Sequence, residues 1–359
     1  MRNAEYWAER ALNEALMGER SVLEYENALL DAYRVALREI KKDLESFFSK
    51  YARENKVTYA EARRRLVSTE MKEFKATVKM WLDYARQNGW NRVYIQYLEK
   101  LLNMKYITRL EMLEADIRYQ IELIENNKEK NIKDLMEINY LAAYYVRYHD
   151  FATGAEMSVR FDTIDAHTLA QVVAKKWDDG NYSTRVWNDR NRLVKAMATI
   201  LPQSFSRGLN VNKLGDMLAK ELNVSQNRGR TLARTEINNI CNQADLAVYR
   251  AAGIEKYQFV ATLDLRTSEI CRSMDNTVHE VSQARTGINF PPLHPNCRST
   301  TVAYHEDLQG LERIAKDSEG KNIRVPRSMS QEEWIKKYVP EEDRDKLLQF
   351  TSRFYKSQK

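Results

Sequence analysis

From Val22 onward, apolar residues return at every third or fourth position: Tyr25, Leu29, Tyr33, Leu37, Ile40, Leu44 and Phe47. That spacing places them on one face of an α-helix. Leu110, Leu113, Ile117, Ile121 and Ile124 form a second stripe of the same kind. Two start signals accompany these patterns, Thr58-Tyr59-Ala60-Glu61 and Thr108-Arg109-Leu110-Glu111. Each has the form of a capping box, in which a hydroxyl accepts from the amide three residues on and the glutamate reaches back, so a helix is predicted to start at each. Gly18 and Gly89 are the only glycines before residue 150, and no proline occurs there. Long helices follow from that lack of punctuation. Their stripes read first as helix-to-helix packing in a bundle or hairpin, with an oligomer or partner surface as the alternative.

After Tyr148 the pattern changes. Glycines stand at 154, 180, 208, 215, 229 and 253, and the periodic segments shorten. The spacing predicts a helix over 211–222 and another over 225–252, the second closed by Gly253 in the left-handed region where helices commonly end. Tyr257, Phe259 and Ala261 then alternate with Lys256, Gln258 and Val260, which is strand periodicity, and 300–304 is a candidate partner strand. Asp275-Asn276 supplies a turn between them. Ser330-Gln331-Glu332-Glu333 is a further capping box leading into Trp334 and Ile335, read as a tail that docks through that tryptophan. The fold class expected is mainly α with a small α+β domain: long N-terminal helices, then a compact helical domain carrying a short β-sheet. The division is 1–150, 151–305 and a polar C-terminal tail with one short helix over 306–359.

Composition changes this picture little. The chain has 359 residues with 57 basic against 51 acidic, a net charge of +6, and the excess is small beside the 30% of residues that are charged. Contact with nucleic acid is permitted rather than argued, because a basic patch is the informative quantity. Arg63-Arg64-Arg65 reads as a solvated face ahead of a DNA grip. No run approaches the roughly 18 apolar residues of a membrane span, and the opening MRNAEYWAER has charge where a signal peptide needs an apolar stretch. A cytoplasmic site of synthesis is therefore expected. Three cysteines do not make a secreted disulfide framework.

The chemistry gathers in four stretches: Ala233-Arg234-Thr235-Glu236, Thr262-Leu263-Asp264-Leu265-Arg266-Thr267, Cys271, and Pro291-Pro292-Leu293-His294-Pro295-Asn296-Cys297-Arg298. In this order they resemble the Mu F-like family of phage minor head proteins, also called phage head morphogenesis proteins. "LDLRTSEIC" followed by "PPLHPNCR" is the specific part, and the resemblance covers roughly 155–305. Gly180, Tyr249, Gly253 and the late "EEWIKKY" also fit it. The resemblance implies a protein of a few copies per particle, inside the head and associated with the portal protein, acting in head morphogenesis and in DNA packaging or delivery. Its implied partners are the portal, the major capsid or scaffold protein, and packaged double-stranded DNA bound without sequence preference. The implied location is the virion, with the host cytoplasm during assembly, and no catalytic activity is implied. The motif residues carried over are Arg234, Thr235, Glu236, Asp264, Arg266, Thr267, His294, Pro295 and Arg298.

Zinc takes about four ligands, usually thiolate or imidazole, with short paired spacings such as H-x2-C. His294 and Cys297 are such a pair, Cys271 is a third candidate and His279 a fourth. Many relatives carry cysteines at the positions of Ser268 and Ser299, so this chain lacks half of a four-sulfur set. Three arrangements stay open: a zinc site on Cys271, His279, His294 and Cys297; a Cys271–Cys297 disulfide; or no cofactor, with prolines fixing the loop, His294 bonding a backbone carbonyl and the cysteines packing as small apolar groups. The last carries the most weight. Arg234, Glu236, Asp264, Arg266 and Arg298 read as a buried polar network, with a phosphate or active-site cluster as the alternative. Cys241 reads as core, and His149, His167 and His305 receive no role. The enzyme alternative is a zinc-dependent hydrolase, a nuclease or peptidase. Against it, no HExxH is present and His279-Glu280 is the nearest thing to a base beside a ligand. An ADP-ribosylating domain does not fit in the 54 residues after His305.

Overall fold

The computed structural model describes residues 4–52, 56–154, 163–177, 180–304, 312–317, 321–326 and 329–338. In chain order the helices are α1 (Ala4–Tyr51), α2 (Tyr59–Ala62), α3 (Ser68–Gln87), α4 (Arg92–Asn103), α5 (Arg109–Gly154), α6 (Ala166–Ala174), α7 (Tyr182–Ser206), α8 (Val211–Ala251), α9 (Glu269–Met274) and α10 (Gln331–Tyr338). The strands are β1 (Lys256–Val260), β2 (Val278–Glu280), β3 (Thr300–Ala303), β4 (Glu312–Lys316) and β5 (Asn322–Pro326). The fold is mainly α with a small antiparallel sheet. Among the described residues no helix is long and apolar enough to cross a membrane.

Two compact units divide the chain. A helical unit takes Glu26–Ile132 and Tyr182–Arg230, and a sheet-bearing unit takes Met1–Tyr25, Lys133–Asn181 and Thr231–Lys359. Each is assembled from separated segments, so these units follow a different division from a linear one at residues 150 and 305.

In the helical unit the predicted stripes are buried: Leu29, Tyr33, Ile40, Leu44 and Phe47 on α1, and Leu110, Leu113, Ile117, Ile121 and Ile124 on α5, with Leu37 half-buried. The α3–α4 hairpin turns at Gly89, whose φ of +63° is left-handed, and it packs Phe74, Val78, Trp81, Trp90, Tyr94 and Leu98 against Ile107 and Ala115. Thr108 caps α5 as a true box, donating its amide to Glu111 Oε2 at 2.7 Å and accepting from the Glu111 amide at 3.2 Å. Thr58 also caps, accepting from the Glu61 amide at 3.2 Å, but the helix it opens lasts only from Tyr59 to Ala62. The reason lies downstream. The Leu66 amide donates to Ile107 O at 2.8 Å and the Arg109 amide to Arg64 O at 2.9 Å, so pairing with the 107–109 segment draws the chain out of helix. Arg63, Arg64 and Arg65 are exposed, with Arg65 over the Tyr106 ring and Arg63 over the Tyr59 ring.

The same unit buries a charged cluster. Lys128, 2% exposed, bonds Glu125 at 2.8 Å and Asp189 at 3.1 Å, and Ser225 donates to Asp189 at 2.6 Å. Burial works against the ammonium of Lys128, but Glu125 foremost, with Tyr33 and Asp189, outweighs it and raises its pKa.

The sheet-bearing unit has β1 at the centre of a three-stranded antiparallel sheet of order β2-β1-β3, with Tyr257 opposite His279 and Phe259 opposite Thr301. Tyr257, Phe259 and Ala261 are buried, as their alternation predicts. Gly253, φ +67°, ends α8, and Asn276, φ 64°, turns the chain between α9 and β2. The predicted pair of helices over 211–222 and 225–252 is corrected to one. No glycine or proline occupies 223–224, so nothing obliges the backbone to leave helical geometry there. Trp334 of α10 is fully buried against Leu263, Ala315, Val325 and Met329, and its helix starts with the Ser330–Glu333 box, the Glu333 amide donating to Ser330 Oγ at 3.2 Å. Residues 306–311, 318–320, 327–328 and 339–359 of the expected tail, and His305, lie outside the described residues.

Candidate functional site

The site is built from three local structures in the sheet-bearing unit. The first is the turn His294-Pro295-Asn296-Cys297, closed by the Cys297 amide donating to His294 O at 3.1 Å. Proline at the second position fixes φ near −65°, and Asn296 at the third has φ 59°, the left-handed value that a type II turn requires there. The second is α9, whose N-cap Ser268 accepts from the Cys271 amide at 3.3 Å. The third is the loop after β1, where Asp264 accepts from the Arg266 amide at 2.9 Å and from Thr267 Oγ1 at 3.0 Å.

These pieces are held together by side chains. Arg298 grips Asp264 with two guanidinium nitrogens, one at 2.8 Å from Oδ1 and the other on Oδ2. Burial pushes the Asp264 carboxyl up, but the hydrogen bonds and charge of Arg298, helped by the Arg266 amide and Thr267, outweigh it and hold the pKa below the usual carboxylate value. Thr262 O is a second acceptor within reach of the single Thr267 hydroxyl proton, and Thr262 donates to Arg298 O at 2.9 Å. Thr235 on α8 is buried; it donates to Thr231 O at 2.6 Å and accepts the Asn296 amide at 2.9 Å. It thereby locks the turn onto the helix.

Of the predicted polar network, Asp264, Arg266 and Arg298 come together, with Thr267 bonded to Asp264 beside them. Arg266 stands at the rim, 72% exposed, with Nε 4.0 Å from Asp264. Arg234 is exposed, which corrects its placement as buried. Glu236 is buried and accepts from the Trp177 indole at 3.1 Å. Pro295 is exposed at the apex of the turn. Sequence reasoning missed Asn238 and Asn242, whose amides reach Ser299 O at 2.9 and 3.4 Å, and Ser268. The asparagines were detectable: two at i,i+4 in mid-helix, where asparagine is a poor helix former, mark a face that meets backbone.

The sulfurs and one imidazole meet. Cys271 Sγ lies 3.6 Å from Cys297 Sγ and 3.2 Å from His294 Nε2, and the three ligand atoms fall within 4.8 Å of one another. Both cysteines are 2% exposed and free, packed with Phe259, Ala261, Met274 and Leu293. His294 Nδ1 is 2.8 Å from Pro295 O, the backbone carbonyl contact the sequence suggested, while Nε2 is 2.7 Å from Ser268 Oγ. The hydrogen bond between the thiols pushes Cys271 up and holds Cys297 down, burial opposing the latter and His294 assisting it. For His294 burial opposes the charged form, but Cys297 and the Pro295 carbonyl prevail and raise its pKa.

His279 is corrected as a ligand. Asn276 reverses the chain after α9 and sends β2 along β1, so His279 ends 2.8 Å from Thr277 Oγ1 and against the Tyr257 ring. Cys241, expected in the core, is only partly buried. His149 and His167 are exposed.

No curated protein and no solved structure matches the chain. Residues 195–302 match the family model described as Phage Mu protein F like protein, a span that contains α8, β1, β2, all but the last residue of β3 and every motif residue placed above. Over that segment the chain is similar to the Phage Mu protein F-like family, which supports a relation to phage head morphogenesis proteins.

Proposed function

We propose that this chain is a minor head protein of a phage particle, present in few copies inside the head and associated with the portal protein, and that it acts in head morphogenesis and in DNA packaging or delivery. The observation that carries this reading is the family match over 195–302, in which the motif residues have structural partners rather than an open reactive centre. A buried Asp–Arg pair and a threonine lock fix loops, and fixed loops suit a part assembled into a particle. The major capsid or scaffold protein is a further proposed partner, and the host cytoplasm the place of assembly. Nonspecific contact with packaged double-stranded DNA rests on the net charge of +6 and on exposed arginines such as Arg63, Arg64 and Arg65. Such binding would weaken steeply with salt. Against the hydrolase reading, the two thiols are buried, and His279-Glu280 lies on β2 rather than beside them.

The experiment is quantitative mass spectrometry of purified particles, comparing this chain with the portal and major capsid proteins. A few copies per particle is the expected result. Absence from mature heads would overturn the assignment to the virion.

A further inference from the structure

The cluster under the His294-Pro295-Asn296-Cys297 turn has more order than packing demands. Cys271 and the His294–Cys297 pair, 23 and 26 residues further along the chain, bring one atom each to a common centre, 3.6 Å between the sulfurs and 3.2 Å from Cys271 Sγ to His294 Nε2. Tetrahedral zinc, with Zn–S of about 2.3 Å and Zn–N of about 2.0–2.1 Å, sets its ligand atoms roughly 3.4–3.8 Å apart. The sulfur–sulfur spacing is of that size before any adjustment, the sulfur–nitrogen contact is slightly shorter, and all three atoms lie within 4.8 Å of one another. The imidazole is also oriented as a ligand: with Nδ1–H donated to Pro295 O at 2.8 Å, Nε2 carries the lone pair that faces the sulfurs. Metal-bound histidines are commonly fixed by such an outer hydrogen bond. Ser268 Oγ, 2.7 Å from Nε2, stands on the same side as a fourth oxygen donor.

We propose that Cys271, His294 and Cys297 bind one zinc ion, with the Ser268 hydroxyl, directly or through a water, completing the tetrahedron. The donor set excludes calcium and magnesium, which take oxygen ligands. Binding is not a redox step: Zn2+ enters, both thiol protons leave to solvent, and the imidazole binds neutral. The ion ties α9 to the turn, two pieces 26 residues apart along the chain between Cys271 and Cys297. Its role is structural, because both sulfurs are buried within Phe259, Ala261, Met274 and Leu293. His279 takes no part.

The test uses the full chain, purified under reducing conditions from zinc-supplemented cells and dialysed against metal-free buffer. Elemental analysis should find one zinc per chain, and a mercurial that attacks thiolates should release it. Replacement by Co2+ should give sulfur-to-cobalt charge transfer and the strong visible bands of a tetrahedral site. Cys271→Ser and Cys297→Ser should each lose the metal, and His279→Ala should retain it. Ser268→Ala should bind about 10- to 100-fold more weakly, the usual cost of removing a supporting partner. Should the cysteine variants fail to fold, the cobalt spectrum of the parent decides alone. A reduced, zinc-replete parent with neither zinc nor a cobalt spectrum would overturn the proposal. So would zinc retained by both cysteine variants, or isolation of the chain from cells with Cys271 and Cys297 disulfide-linked and no metal.

Discussion

The helical unit and the sheet-bearing unit each bury an acid–base cluster, and the two are made in opposite ways. In the helical unit Lys128, Glu125, Asp189 and Ser225 come from three long helices, α5, α7 and α8, and meet through side chains alone. In the sheet-bearing unit Asp264, Thr267 and Arg298 come from short loops, and their backbone amides and carbonyls join the network. The first kind needs no special backbone, so its residues carry no motif. The second kind works only if proline, left-handed asparagine and hydroxyl residues stand at fixed offsets, so it is written as a motif. A dense motif can therefore mark a demanding loop as readily as a catalytic centre.

The largest test of this contrast is Lys128→Met. It leaves Glu125 buried without its cation and Asp189 with only the half-exposed Arg228, and urea denaturation should show about 3 to 5 kcal/mol lost. Arg298→Ala should cost about 3 kcal/mol, since Asp264 stays buried, and its denaturation midpoint should become less sensitive to acid than the parent's. Thr235→Val should cost about 1 to 3 kcal/mol by stranding the Asn296 amide, with Thr235→Ser recovering most of it in the same assay.

The smallest effects are in pH, and they have opposite signs. Asp264 has a lowered pKa, so its contribution is present above the ordinary carboxylate value and is lost as pH falls through the folded value. In the helical unit Asp43 is pushed up to about 6 by burial and Glu39, and Asp116 up to about 8 by burial and Asp43. Those two favour the fold below the ordinary carboxylate pKa, and that advantage is lost as pH rises through about 6 and about 8. Peptide-resolved hydrogen exchange should thus show the α1 and α5 segments around Asp43 and Asp116 opening more readily at pH 9 than at pH 5, and Asp116→Asn should flatten that trend. The loop over 262–268 should instead open at low pH.

What could be read in advance follows the same physics. Capping boxes at Thr108 and Ser330, the buried stripes and the β1 alternation are local or periodic, so the chain displays them. Thr58 shows the limit: its cap formed, but pairing of Leu66 with Ile107 ended the helix after one turn. The continuity of α8 was legible, since 223–224 holds no glycine or proline, but the removal of His279 from the sulfurs depends on how segments pack, which no window of sequence holds. The Asp264–Arg298 pair and the Cys271, His294, Cys297 meeting were legible as residue types, while Asn238 and Asn242 showed only as poor helix formers at i,i+4, their partner Ser299 O being set by the fold.

The central claim is that the motif loops are locked parts of the structure. Amide hydrogen exchange of the parent chain tests it most directly, at Arg266, Cys271, Asn296 and Cys297, whose amides donate to Asp264, Ser268, Thr235 and His294. The account predicts that they exchange as slowly as the β1 amides, although three of the four lie outside helix and strand. Exchange near the rate of an open chain, as for a loop that moves over a substrate, would contradict it.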